Sequence, residues 1–391
     1  MNVRRPWLMV WGLAAAQVVS WGTLFYAFAL MVNPMRDSLG WSPSVLNGAL
    51  SLGLLCMGAA SIPVGAWIDR HGGRGVMALG SLAGSLALAG WAWVSAPWAF
   101  YLVWALVGVS MSGVLYEPAF AVVTAALGRE APRGIITLTL VGGFASTVCL
   151  PATQYLISAF GWRHALWVLA AANLAICLPL HVLCVPPGAA PRARAPRAGA
   201  LYRALLRDRT FWGLALWFTT YNAIGSALVF QLIPLMREWR LGMAAILLCM
   251  MLIGPLQVAG RMVWMIFSAR LDVRRMGGVA LVSFTAALLG LLLLPHRLVW
   301  LGAATGLYGL GNGVMTVVRG TAVPELIGPE DYGAINGALA FPMMIARAFA
   351  PVAAAAVWLR GGDPAWMLGA LLGCALLGGV GFALAVTGRA A

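Results

Sequence analysis

The chain has 391 residues, 62% of them apolar and only 9% charged, against roughly 25% charged in an ordinary soluble protein. Twenty-five basic and 11 acidic residues are too few to cover a chain of this size in water, which excludes a soluble globular enzyme. The formal charge of +14 is spread as arginines between apolar runs rather than gathered on a polar face. It therefore points to a lipid bilayer and away from nucleic acid.

All 25 basic residues are Arg. Without Lys there is no phosphate-binding loop of the Walker type and no Schiff-base chemistry, so ATP hydrolysis is not expected and the chain is read as a non-enzyme. Cys56, Cys149, Cys177, Cys184, Cys249 and Cys374 all fall inside apolar runs without C-x-x-C spacing, and the four histidines are isolated. No metal or cofactor is expected.

A spanning helix needs roughly 20 mainly apolar residues to cross ~30 Å of hydrocarbon. Twelve stretches qualify: 7–32, 43–67, 76–95, 98–127, 134–158, 164–185, 210–235, 243–267, 277–295, 298–323, 333–358 and 366–387. The first begins after Arg4 and Arg5 like a secretory signal, but it continues to Val32 and is read as an uncleaved helix. The even number puts both termini on one side. With the termini inside, internal segments hold 16 arginines and external loops 6, leaving Arg261, Arg319 and Arg347 in the membrane. The excess of inner arginines predicts cytoplasmic termini and, for a bacterial cell, the inner membrane. Residues 186–209, rich in Pro, Ala and Arg, read as a cytoplasmic basic linker between an N-terminal bundle (1–185) and a C-terminal bundle (210–391).

Offsetting the chain by 200 residues superposes Pro34 on Pro234, Gly113 on Gly313, Gly128 on Gly328, Glu130 on Glu330 and Pro151 on Pro351, and an offset of 203 aligns Asp69 with Asp272. The first six stretches thus repeat as the last six in the same orientation.

After the second stretch the chain reads Gly65-Ala66-Trp67-Ile68-Asp69-Arg70-His71-Gly72-Gly73-Arg74. This resembles the loop signature G-x-x-x-D-[RK]-x-G-[RK]-[RK] of the major facilitator superfamily, with Gly73 replacing one basic residue. The resemblance extends over the whole chain and implies an all-α membrane protein with twelve transmembrane helices in two six-helix bundles, moving about a central cavity. It also implies that Asp69, Arg70 and Arg74, with Asp272 in the second half, gate the inner side, Asp69 facing the chain near Gly333. Ser20-Trp21-Gly22, Gly40-Trp41-Ser42, Arg133-Gly134 and Gly161-Trp162-Arg163 look most like the monocarboxylate and oxalate/formate branch. There, basic residues on the eighth and eleventh helices hold carboxylate substrates, which maps onto Arg261 and Arg347. The chain departs from the monocarboxylate carriers at Gln257, where they carry an acid.

An intramembrane charge costs at least ~2.5 kcal/mol and normally faces a cavity or a partner. Glu117, near mid-membrane on the fourth stretch, is either a coupling carboxyl or a buried pair for an arginine. Arg261 and Arg319 are either functional or reach for inner headgroups and backbone carbonyls. Arg347 lies too deep for that. Tyr26 and Asn222 are candidate cavity polar residues, as are Tyr116, Gln231 and Asn312, each with an ordinary interhelical hydrogen bond as the other reading. Arginine suits a carboxylate because its planar fork gives two parallel charge-assisted bonds and keeps its proton in a dry cavity.

The expected function is secondary transport of a small organic anion by alternating access, by proton symport or exchange, from a monomer in the bilayer. Two other readings are an exporter of drugs or other toxic compounds, and a receptor or scaffold without transport.

Overall fold

The computed structural model describes residues 4–188, 198–267 and 272–387. Arg192, Arg194 and Arg197 of the linker, together with Arg270 and Arg389, lie outside the described residues.

All twelve apolar stretches fall on helix, and the described residues contain no strand. The helices are α1 (4–39), α2 (Pro43–His71), α3 (Gly73–Trp93), α4 (Pro97–Val114 and Tyr116–Leu127), α5 (131–160), α6 (162–184), α7 (Arg209–Glu238), α8 (Met243–Phe267), α9 (Val273–Leu293), α10 (Leu298–Leu326), α11 (Tyr332–Gly361) and α12 (Pro364–Thr387). Among the described residues, nine helical runs are long and apolar enough to cross a membrane, and one of them, Pro97–Cys184, holds three of the expected stretches. A short helix, Ala198–Leu205, precedes α7.

Local chemistry sets the ends. Ser42 caps α2 by accepting from the Val45 N–H at 3.3 Å, with Pro43 in the first turn, where its missing N–H costs nothing. Gly128 (φ 53°) and Gly328 (φ 143°), paired by the 200-residue offset, follow α4 and α10. The paired prolines also fall in equivalent helices, Pro34 and Pro234 inside α1 and α7, Pro151 and Pro351 inside α5 and α11. In each case the paired residues occupy helices at corresponding places in chain order.

Some breaks lie inside the apolar runs. α4 is interrupted at Leu115 (ψ −156°), because Pro118 cannot donate to the carbonyl of Val114 and its ring crowds that group. α1 widens into a π-helix at Trp21–Tyr26 and α6 at Asn173–Cys177.

The described residues form two compact units, one of 1–198 with 329–341, the other of 199–328 with 342–391. The boundary within α11 falls at Pro342, which lacks the N–H that would continue the ladder. In the first unit, Phe28, Trp91, Phe100 and Trp104 form an aromatic core, edge to face about Trp104 and tilted between Trp91 and Phe100, and buried Asn173 bridges α6 to Ser85 of α3 at 2.9 Å. In the second, Trp217 packs on Phe382 and Tyr221 on Phe284. Leucines, valines and tryptophans such as Trp93, Trp98 and Trp366 are largely exposed on the outer surface. Hydrocarbon tolerates such a surface and water does not.

Candidate functional site

The expected intramembrane charges fall in two constellations, one in each unit. In the first, Ser61, Gly65 and Asp69 recur every four residues and share one face of α2. That face meets the start of α11. A Cβ on Gly333 would lie 2.6 Å from the Gly65 carbonyl oxygen, and one on Gly337 would overlap the Ser61 carbonyl. Ser61 Oγ donates to the Gly337 carbonyl at 3.0 Å. The Asp69 carboxylate accepts from the N–H of Gly333 at 3.0 Å and of Ala334 at 2.7 Å. These are first-turn donors of α11 without intrahelical partners, so Asp69 caps α11 from another helix and sits at the positive end of its dipole.

Above this seam lies a water-sized cavity bordered by Ser61, Gly65, Ser112, Glu117, Gly333 and Gly337. Glu117 occupies the first turn of the second half of α4, so the break caused by Pro118 puts a carboxyl at a helix N-terminus. Tyr116 beside it stacks on Phe120 and packs against Trp21, on which Tyr26 also packs.

In the second unit, Tyr221 on α7 donates its hydroxyl proton to Asn312 Oδ1 on α10. The charges of Arg261 (α8), Arg347 (α11) and Arg319 (α10) all act on this one hydroxyl, and Arg347 also acts on Tyr308. Ser226 Oγ ties the backbone of Arg347 to α7 at 2.7 Å, and Gln231 does the same one turn on, at the Pro351 carbonyl. Arg261 is 3% exposed, too little for an arginine reaching into lipid headgroups.

Of the expected substrate residues, Arg261 and Arg347 bear electrostatically on Tyr221 together with Arg319, and the sequence reading left Arg319 and Tyr221 out of the site; Glu117 and Tyr26 belong to the first unit. Asn222 instead bonds the Phe218 carbonyl of its own helix. Among the expected gating residues, Arg70 is exposed, Arg74 Nε donates to the Val185 carbonyl at 2.6 Å, and Asp272 caps α9 at the Arg275 N–H. Glu325 accepts from the Val273 N–H at the same helix end.

The sequence pattern of the Major Facilitator Superfamily matches residues 13–351. The chain belongs to this superfamily. It is a multi-pass membrane protein of major facilitator fold. Among curated proteins it is 27% identical to the multidrug resistance protein MdtH of Yersinia pestis over 209 residues, 53% of this chain. The match spans about half, 51%, of that relative. Among solved structures, the human organic anion transporter MFSD10 (TETRAN) superposes with a TM-score of 0.68 at 20% identity, covering 98% of this chain and 99% of the other. The Escherichia coli fucose:proton symporter FucP gives 0.75 at 14% identity, covering 100% and 99%. At such identities these structures establish the superfamily fold.

Proposed function

We propose that this facilitator moves a small organic anion, with a carboxylate as the group recognised. The observation that carries the reading is the gathering of Arg261, Arg319 and Arg347 about Tyr221. Three permanent cations near one buried hydroxyl form an electropositive site, and guanidinium forks match carboxylate geometry. The superposition on a protein described as an organic anion transporter agrees with this substrate class. Tyr221 and Asn312 hold the cluster's shape from α7 and α10. Transport runs by alternating access in a monomer with cytoplasmic termini, Asp69, Arg70, Arg74 and Asp272 serving the inner gate and Glu117 the coupling, to protons or to exchange.

Uptake into proteoliposomes across a panel of carboxylates tests the reading. Saturable transport of anions supports it, and a best substrate that is cationic overturns it. The match to a multidrug resistance protein favours a second reading, export of drugs or other toxic compounds. That reading requires resistance to hydrophobic cations on expression, with no anion flux.

A further inference from the structure

Exposed arginines gather where the chain enters α7. The short helix Ala198–Leu205 buries Leu205 and half-buries Leu201, four residues apart on one face. Away from that face it carries exposed Arg203, and the next turn, closed by the Leu206 N–H on the Tyr202 carbonyl at 3.0 Å, adds exposed Leu206 and Arg207. Arg203, Leu206 and Arg207 are spaced at three and four residues and so are neighbours on the helix surface. Exposed Arg209 then opens α7, which is long and apolar enough to cross a membrane.

Two bonds fix this turn to the start of α7. Trp212 Nε1 donates to the Leu206 carbonyl at 2.9 Å, and the Asp208 carboxylate accepts from the Thr210 N–H at 2.7 Å. Asp208 thus turns its charge to the N-terminus of α7, where the helix dipole favours it. Among the described residues, Arg203, Arg207 and Arg209 form no ion pair with it or with any other acid. Beside them Leu206 and Trp212 are 61% and 51% exposed. Water disfavours such apolar groups, whereas the boundary between lipid headgroups and hydrocarbon takes cationic and apolar side chains together, with indoles at that depth. The first turn of a spanning helix lies at this boundary.

We infer that Arg203, Arg207 and Arg209, anchored by Leu206 and Trp212, form a docking surface for anionic phospholipid headgroups of the surrounding bilayer. Guanidinium forks match phosphate oxygens, and the upper acyl carbons cover the leucine and the indole. Lipid is the occupant because the surface runs straight into a membrane-spanning helix and joins unpaired cations to exposed apolar groups; a soluble anion would need only the cations. The inference holds whichever cargo moves and whichever side the termini face.

The test titrates the full-length protein, in uncharged maltoside micelles, with phosphatidylglycerol or phosphatidylcholine and counts bound lipid by native mass spectrometry. The wild type should hold phosphatidylglycerol about tenfold or more tighter than phosphatidylcholine. Each arginine near an anionic surface contributes about fivefold, so Arg203→Gln, Arg207→Gln and Arg209→Gln combined should weaken phosphatidylglycerol about a hundredfold and leave phosphatidylcholine unchanged. The three Arg→Lys changes combined keep the charge and should stay within about tenfold of wild type, which guards against a Gln variant that fails to fold. Arg129→Gln, at an equally exposed arginine beside Glu130 in the other unit, should have little effect. Equal wild-type affinity for the two lipids, or an unchanged triple Gln variant, overturns the inference. So does a Lys variant that loses lipid as fully as the Gln variant, or an Arg129→Gln variant that matches the triple loss and so spreads the attraction over every exposed arginine. Displacement of phosphatidylglycerol by an equal concentration of glycerol phosphate would show a site for free phosphate and also refute docking to the membrane.

Discussion

Gly65 of α2 and Gly333 of α11 touch backbone to backbone, because a Cβ on Gly65 would overlap the Gly333 carbonyl oxygen. Close approach of this kind lets dispersion and short polar contacts join two helices inside a bilayer, where no hydrophobic effect drives them together. Gly65→Ala should therefore part the seam and raise the accessibility of the chain behind it. A single cysteine at buried Ile68, in a background lacking the native cysteines, should react with a membrane-impermeant thiol reagent added from the inner side about tenfold faster in the Ala variant. Unchanged labelling would mean that the seam yields without opening.

Asp69 adds charge to the same contact, through its two bonds to the first turn of α11. Hydrogen bonds to a charged group contribute about 1.5–3 kcal/mol when dry, and the half-buried position of Asp69 reduces this. Asp69→Asn retains an acceptor but loses the charge, so a cost of about 1–2 kcal/mol is expected, roughly a tenfold shift toward the open inner side. The same Ile68 cysteine reads it. Equal labelling in Asn and wild type, with unaltered transport, would leave Asp69 without a gating role.

Much of this was legible in the sequence, for physical reasons. Span ends were visible where the chain spends a Ser-Pro pair or a glycine on them, as at Ser42-Pro43 and Gly128. The break at Leu115 was hidden because apolarity runs unbroken through it, and only Pro118 gave a local cue. Arg261, Arg319 and Arg347 all stood out because a charge in hydrocarbon is expensive. The resemblance singled out Arg261 and Arg347, whereas Arg319 was left between a functional role and an anchor at the inner end. The seam was legible in part: the loop signature implied that Asp69 faces the chain near Gly333, but with 47 glycines in the chain the close approach of Gly65 and Gly337 gains meaning only once their partners are known.

The arginine cluster predicts an asymmetry between charge and shape. Arg261→Lys and Arg347→Lys keep the positive charge but lose the planar fork and its paired bonds. Each should weaken the apparent affinity for the anion by about tenfold or more, and each Ala variant further still, as a desolvated charge-assisted bond worth ~2 kcal/mol disappears. Concentration-dependent uptake measures this directly. Normal transport in both Lys variants would refute a fork-and-carboxylate site.

Glu117 lies at a helix N-terminus and borders the water-sized cavity that reaches Gly65 and Gly333. A buried carboxyl is favoured as a neutral acid by loss of water and as an anion by a helix N-terminus or a nearby cation. A conformational change that alters the balance of these terms alters its hold on a proton. Because the cavity shares its wall with the seam, opening the seam brings cytoplasmic water toward this carboxyl, so proton release and inner opening are expected to go together. Glu117→Gln keeps size and hydrogen bonding while removing titration. It should abolish accumulation driven by a proton gradient and spare counterflow, which needs no net proton movement. If counterflow is lost equally, Glu117 serves the substrate site or the fold. If both persist, coupling resides elsewhere and the carboxyl only balances an arginine. The pH dependence of uptake separates these outcomes further: a coupling carboxyl gives the wild type a pH-dependent rate that the Gln variant lacks, whereas a residue that merely balances charge leaves the two profiles parallel.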